Sequence, residues 1–239
     1  MNLSSLAHLA PLTLSSACYA AGYATGVVAF AWMAKRRRLA TSGMLSVMAA
    51  GLIGGLVCAN IAQFVFAHSE GKSVLGGIAG GYLTVIFYKR HLGIRRGTGD
   101  LFAVALSAGE AVGRFGCYFG GCCYGKACGV PWAIWQHGAW RHPAQLYMAA
   151  ASAVILAILL RYDRKRPPEN ALFFLQGVLY CASRFTIEFF RETNVTALGL
   201  STAQWACIAG ELFFGVMLVK LLTTTRRERV AILTTEQAA

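Results

Sequence analysis

The chain has 239 residues, of which 56% are apolar and only 13% charged, with a mean hydropathy of +0.53. Soluble domains carry about a quarter charged residues, so this composition excludes an ordinary soluble fold and points to a membrane protein. The formal net charge of +12 invites a nucleic-acid reading, but the basic residues fall in short clusters between apolar stretches, where they serve as topology signals.

A membrane-spanning helix needs about 20 apolar residues. Seven such stretches are predicted, at about 16–34, 43–66, 74–88, 101–117, 143–160, 170–189 and 201–222. The expected fold is therefore all-α, a single polytopic membrane domain over 1–239 with about seven spans. The first stretch lacks a basic leader and a convincing cleavage site, so no cleavable signal peptide is expected. The third is short, and Gly76, Gly77, Gly80 and Gly81 predict close packing or a broken helix there.

Basic residues follow every second stretch. Lys35, Arg36, Arg37 and Arg38 follow the first; Lys89, Arg90, Arg95 and Arg96 the third; Arg161, Arg164, Lys165 and Arg166 the fifth; and Arg226, Arg227 and Arg229 the seventh. The opposite loops hold few, namely Lys72, Lys126 and Arg141, with Arg191 at a boundary. Cytoplasmic loops are the ones enriched in Lys and Arg, which predicts an outside N-terminus and a cytoplasmic C-terminus. The same clusters favour an anionic inner leaflet.

The fourth stretch carries Glu110 and Arg114 four residues apart, then breaks into a Gly/Cys-rich run through Gly116, Cys117, Gly120, Gly121, Cys122, Cys123, Gly125 and Cys128. Those four cysteines fall in a predicted outer loop. Disulfides are the first expectation there, inert thiols the second, and the spacing fits paired zinc ligands poorly. Cys18, Cys58, Cys181 and Cys207 lie within apolar stretches and read as small hydrophobes. Trp132, Trp135 and Trp140 read as interfacial anchors, and His137 as a solvated loop residue. The chain re-enters apolar territory through Arg141-His142-Pro143. His142, Gln145 and Tyr147 read first as capping and packing at that helix start.

The sixth stretch carries Arg184, Glu188 and Arg191 at i, i+4 and i+7, one stripe that alternates in sign, and Glu211 stands alone in the seventh. One reading is that such charges pair between helices and fix the bundle. The other starts from a surplus, because Arg114, Arg184 and Arg191 outnumber Glu110 and Glu188. A guanidinium at membrane depth seeks an anion, and its planar fork matches phosphate oxygens. The expected ligand is therefore an anionic phospholipid head group, with the Gly-rich run allowing close backbone approach. There is no nucleotide-binding motif, so no cofactor and no metal are expected, and no nucleic-acid partner.

These residues, taken in order, resemble the prolipoprotein diacylglyceryl transferases. Tyr19-Ala20-Ala21-Gly22-Tyr23 resembles that family's Tyr-Gly-x-x-Tyr, and Ser73-Val74-Leu75-Gly76-Gly77 its Ser-Phe-His-Gly-Gly. Gly113-Arg114-Phe115-Gly116 is similar to its Gly-Arg-x-Gly-Asn-Phe. Pro131-Trp132 with Arg141-His142-Pro143-Ala144-Gln145-Leu146-Tyr147 follows its Pro-Trp and Arg-His-Pro-x-Gln-Leu-Tyr-Glu. Arg184-Phe185-x-x-Glu188-Phe189-Phe190-Arg191 and Leu200-Ser201-x-x-Gln204 follow its Arg-Phe-x-x-Glu-Phe-Phe-Arg and Leu-Ser-x-Gly-Gln.

The resemblance implies a bacterial cytoplasmic-membrane enzyme acting on phosphatidylglycerol. Such an enzyme moves the diacylglyceryl group to the lipobox cysteine of a secreted preprotein and releases glycerol phosphate. It implies that Arg114 and Arg184 stabilise the departing phosphate, that Arg191 helps hold the head group, and that Glu188 orients the arginines. Tyr19 would donate to a lipid oxygen, and Gly116, His142 and Gln145 complete the expected substrate-binding set. The departures are Leu75 in place of His, Cys117 in place of Asn, Gly120-Gly121-Cys122 in place of Asn-Gly-Glu, and Met148 in place of Glu. They suit a relative that keeps lipid binding but uses another acceptor, or one that binds or translocates lipid without chemistry. The compact stretch from 117 to 142 leaves little room for a large outer head domain.

Overall fold

A computed structural model describes residues 3–39, 41–67 and 74–238 of the chain. Among them are seven helices: α1 (Leu3–Arg36), α2 (Thr41–Ala67), α3 (Val74–His91), α4 (Gly99–Phe119), α5 (Ala144–Asp163), α6 (Ala171–Glu188) and α7 (Thr202–Ala238). Each predicted apolar stretch coincides with one of these helices. Four are long and apolar enough to cross a membrane, through Thr13–Arg36, Gly43–Ile61, Ala144–Asp163 and Thr202–Glu228. In α4 and α6 the interior charges Glu110, Arg114, Arg184 and Glu188 interrupt the apolar run, and these are the helices that carry the polar stripe.

The chain divides into two compact units, one of Met1–Gly26 with Thr98–Ala239 and one of Val27–Gly97. In the second unit α2 packs along α3. A Cβ on Gly81 would sit 3.2 Å from the Gly51 carbonyl oxygen, so the glycines of α3 serve close packing of two helix backbones, as small residues do in membranes. The helix is unbroken from Val74. Ser73, at the start of one family-like motif, lies outside the described residues.

In the first unit α4, α5, α6 and α7 pack side by side, with α4 against α5 and α6, and α6 against α7. The start of α6 is fixed by Asp100, a buried carboxylate. Its oxygens accept from the backbone N–H of Asn170 at 3.0 Å, Leu172 at 2.9 Å and Phe173 at 3.2 Å. The first turn of a helix has unsatisfied donors and a positive dipole end, and an acidic side chain satisfies both. Asn170 Oδ1 in turn accepts from Gly99 N at 3.1 Å. The entry to α4 and the α5–α6 turn therefore share one end of the unit.

At the other end lies one feature that an all-α reading omits, a two-stranded hairpin of β1 (Ile134–Gln136) and β2 (Ala139–Arg141). His137 and Gly138 form its turn with φ of +49° and +73°, the pair of left-handed residues that a tight hairpin requires. Trp135 and Trp140 face each other across it, ring centroids 5.7 Å apart at 71°. The segment around Gly125 is stitched between the hairpin and the end of α6: Lys126 N donates to Phe190 O at 2.8 Å and His142 N to Lys126 O at 3.1 Å. A Cβ on Gly125 would fall 2.3 Å from the His142 carbonyl oxygen, so only glycine fits there.

Candidate functional site

The polar interior of the first unit is built from one stripe each of α4, α5 and α6, and the two intrahelical carboxylates are loaded differently. On α4, Glu110 Oε1 accepts from Arg114 Nε at 2.9 Å and from Arg114 Nη2. Its other oxygen accepts from Ser152 of α5 at 3.0 Å. This is a one-to-one ion pair with both carboxylate oxygens satisfied.

On α6 the predicted ladder forms as one network around Glu188, whose side chain is 2% exposed. Arg191 Nη1 donates to Glu188 Oε2 at 3.0 Å, and Arg184 Nη1 lies 2.5 Å from the same oxygen. The Arg184 contact is electrostatic without hydrogen-bond alignment, so that buried nitrogen has no hydrogen-bond acceptor. Ser201 Oγ donates to Glu188 Oε1 at 3.3 Å. Two guanidinium groups thus share one carboxylate, leaving one positive charge uncompensated. Arg184 also feels the charges of Arg191 and Arg114, which brings the α4 and α6 clusters into one electrostatic site.

Tyr180 stands in the same field, with Glu110, Arg114 and Arg184 all acting on it. It extends the α6 stripe by one turn, at i−4 from Arg184, a spacing visible in the sequence once the ladder is drawn. Ser201 and Gln204 form a reciprocal cap on α7: Gln204 N donates to Ser201 Oγ at 3.2 Å and Ser201 N to Gln204 Oε1 at 2.9 Å. That is the S-x-x-Q capping box. It gives the Leu200-Ser201-x-x-Gln204 motif a physical role, because the same serine that starts α7 also reaches Glu188.

Tyr19 of α1 lies in the same unit and donates to Cys117 Sγ at 3.2 Å. Its ring covers Gly116, where a Cβ would lie 2.9 Å from the ring carbons, while Ser15 Oγ donates to Gly116 O at 2.8 Å. The open space beside Gly116 is therefore occupied by a neighbouring helix. Gln145, fully buried at the start of α5, donates through Nε2 to Cys122 O at 2.8 Å and to Gln136 Oε1 at 3.1 Å, tying the Cys loop and the hairpin to the bundle. Its Oε1 has no hydrogen-bond partner.

His142 makes its side-chain contacts with aromatic residues. Its Nδ1 meets the Tyr147 hydroxyl at 3.2 Å, its ring packs edge-on against Phe190, and Trp132 Nε1 donates to the same hydroxyl at 2.7 Å. Its ring gives no cap to α5. His137 is more than a solvated loop residue, since Nε2 meets Gly121 O at 2.6 Å and the ring packs on Tyr124. Met148 is buried with Ala144 and Ile187 in an apolar cluster.

All eight cysteines are free thiols, so the expected disulfides are not formed. The fold instead brings three of the four loop-region cysteines together: the sulfurs of Cys117, Cys122 and Cys123 all lie within 4.8 Å of one another, while Cys128 stays out of the group. Sequence spacing gave no reason to expect this, because it depends on a turn in which Cys122 N donates back to Cys117 O at 3.1 Å and Cys123 is left-handed with φ +58°. Hydrogen bonding to the Cys117 sulfur, together with burial, pushes the Cys123 thiol up.

Comparison with known proteins identifies the family. The family described as prolipoprotein diacylglyceryl transferase matches residues 6–220. The phosphatidylglycerol–prolipoprotein diacylglyceryl transferase of Aromatoleum aromaticum is 34% identical over 185 residues, covering 70% of each chain. Its namesake in Bordetella avium is 31% identical over 179 residues, covering 70% of this chain and 66% of the relative. That of Idiomarina loihiensis is 30% identical over 195 residues, covering 74% and 72%. The matched span runs from α1 into α7, and the chain belongs to the prolipoprotein diacylglyceryl transferase family.

Proposed function

We propose that this protein transfers the diacylglyceryl group of phosphatidylglycerol to the lipobox-cysteine thiol of a secreted preprotein, releasing glycerol phosphate. The observation that carries the reading is the Glu188 network, in which two buried guanidinium groups share one carboxylate and Arg184 Nη1 has no hydrogen-bond acceptor. An anionic phosphate supplies both the missing charge and the missing acceptor.

In this mechanism the acceptor sulfur attacks the glycerol carbon that bears the phosphate. A C–S bond forms, the C–O bond to phosphate breaks, and the electron pair leaves on the phosphate ester. The thiol proton passes to solvent or to a base before or during attack, since the thiolate is the nucleophile. Charge builds on the leaving phosphate, and preorganised donors in a water-poor site stabilise it strongly. Arg184 and Arg114 take that role, Arg191 holds the head group, and Glu188 fixes the orientation of both α6 arginines. Tyr19 donates to a lipid oxygen. Gly116, Gln145 and His142 act as positioning residues, Gly116 by admitting the Tyr19 ring, Gln145 by anchoring the Cys loop, and His142 by tying the hairpin end to α5.

The proposed arrangement is one multi-pass domain over 1–239 in the bacterial cytoplasmic membrane, with seven spans, the N-terminus outside and the C-terminus inside. Support within the first unit comes from the end shared by Asp100 and Asn170, beside Arg161, Arg164, Lys165 and Arg166. That is the basic end, and the arginine network and hairpin lie at the other. A second reading, transfer to a different acceptor, is favoured by Leu75, Cys117 and Met148, which replace polar residues of the family pattern.

The deciding experiment incubates purified protein with head-group-labelled phosphatidylglycerol and a lipobox peptide. Lipidated peptide with stoichiometric glycerol phosphate is expected. Glycerol phosphate without lipidated peptide selects the second reading, and neither product from protein that binds the lipid overturns both.

A further inference from the structure

We propose that Cys117, Cys122 and Cys123 form a three-thiolate site for a thiophilic d10 cation, specifically Cu(I), at the end of α4. The three sulfurs already lie within 4.8 Å of one another. A cation at the centre of three thiolates, with metal–sulfur bonds of about 2.3 Å, sets the sulfurs about 4 Å apart. The observed sulfur separations are therefore close to those that a bound cation requires.

The turn that carries the cluster is built to converge. Neighbouring side chains on an extended chain point to opposite faces, so Cys122 and Cys123 in a strand would be separated. The left-handed φ of +58° at Cys123, a conformation a non-glycine residue adopts at a cost, turns the two thiols toward Cys117. The turn is held from outside by Gln145 Nε2 on Cys122 O and by the Cys122 N to Cys117 O bond. Cys117 is buried while Cys122 is exposed, which gives the cation a route in.

The guanidinium groups of Arg114 and Arg191 act on Cys117 and Cys123 respectively, so positive charge stands beside the three sulfurs. The donor set also selects the metal. Thiolates prefer Cu(I) and Zn(II) among common biological cations, and structural Zn(II) takes four ligands. Among the described residues no fourth Cys, His, Asp or Glu joins the group. Nearby His137 is engaged with Gly121 O. Three soft donors suit Cu(I). This inference stands whether or not the transferase reading does, because it rests on the thiols alone.

The test is an anaerobic titration of reduced, detergent-solubilised full-length protein with Cu(I) against a chromophoric Cu(I) chelator. One Cu(I) per chain is expected, with X-ray absorption reporting three sulfur neighbours. Cys122→Ser, Cys123→Ser and the loop double variant C122A/C123A should each weaken binding by at least about tenfold, the lower end of what even indirect ligand partners contribute. Cys128→Ser and Cys181→Ser should leave it unchanged. Because the thiol protons must leave, affinity should rise with pH. Three results overturn the proposal: affinity unchanged in C122A/C123A that remains monodisperse and helical, loss of binding in Cys181→Ser instead, or stoichiometric Zn(II) uptake with no competitive Cu(I) binding.

Discussion

Glu110 and Glu188 sit on adjacent helices of the same unit, each with an arginine one turn away, and they solve different problems. Glu110 neutralises Arg114 alone, its second oxygen is filled by Ser152, and the pair is about a fifth exposed. Glu188 is buried and faces Arg184, Arg191 and Ser201 together. A matched pair is a finished structure, whereas the arginine-rich cluster keeps one positive charge in excess of its carboxylate. Sequence position alone makes the two i, i+4 pairs look equivalent; the third arginine at i+3 and the burial separate them.

The sharpest way to break this comparison is Glu188→Gln. It leaves two buried guanidinium groups without a counter-charge, and breaking a buried ion pair from one side costs about 3–5 kcal/mol. A large fall in thermal stability in neutral detergent is expected, with partial recovery on adding anionic phospholipid that supplies the missing charge. Equal recovery with a zwitterionic lipid would show that the cluster does not bind anions.

Arg184→Ala tests the surplus from the other side. It restores a one-to-one ratio between Arg191 and Glu188, so stability should change little. Activity should nonetheless fall about 10²–10³-fold, the usual effect of removing one preorganised donor from developing charge. Arg114→Ala should behave differently, losing both activity and stability, because Glu110 is then left with only Ser152. Parallel melting curves and rates of glycerol phosphate release would separate the two. Identical stability losses in both variants would erase the distinction between a matched pair and a surplus.

Much of this was legible in the sequence, for identifiable reasons. The helices follow from apolar runs bounded by basic clusters, and the stretch predicted at 101–117 became Gly99–Phe119. The α6 ladder follows from helical spacing, whereas Tyr180, one turn earlier on the same stripe, is singled out only by its charged surroundings. The hairpin is hidden because Trp135 and Trp140 have the look of separate interface anchors, although His137-Gly138 between alternating residues is a turn signal. The thiol cluster was not readable at all. It requires a left-handed turn at Cys123, and a cysteine gives no sequence cue for that conformation. The outcome at Met148 was equally hidden, since only packing shows that it joins Ala144 and Ile187 in an apolar contact.

The smallest expected effect is the most specific. Ser201 does two jobs: it caps α7 reciprocally with Gln204, and it donates to Glu188. Ser201→Ala removes both, and loss of the cap alone should cost about 1 kcal/mol. Ser201→Thr keeps the hydroxyl and should restore the cap, so its melting temperature should return close to that of the unaltered protein. Ser152→Ala offers the control, because it removes a single hydrogen bond to a carboxylate that is still paired with Arg114. If the Glu188 cluster is the part that binds the phosphate, Ser201→Ala should raise the apparent KM for phosphatidylglycerol while Ser152→Ala leaves it unchanged. A KM shift in Ser152→Ala and none in Ser201→Ala would move the anion site from α6 to α4, with Arg114 as its principal donor.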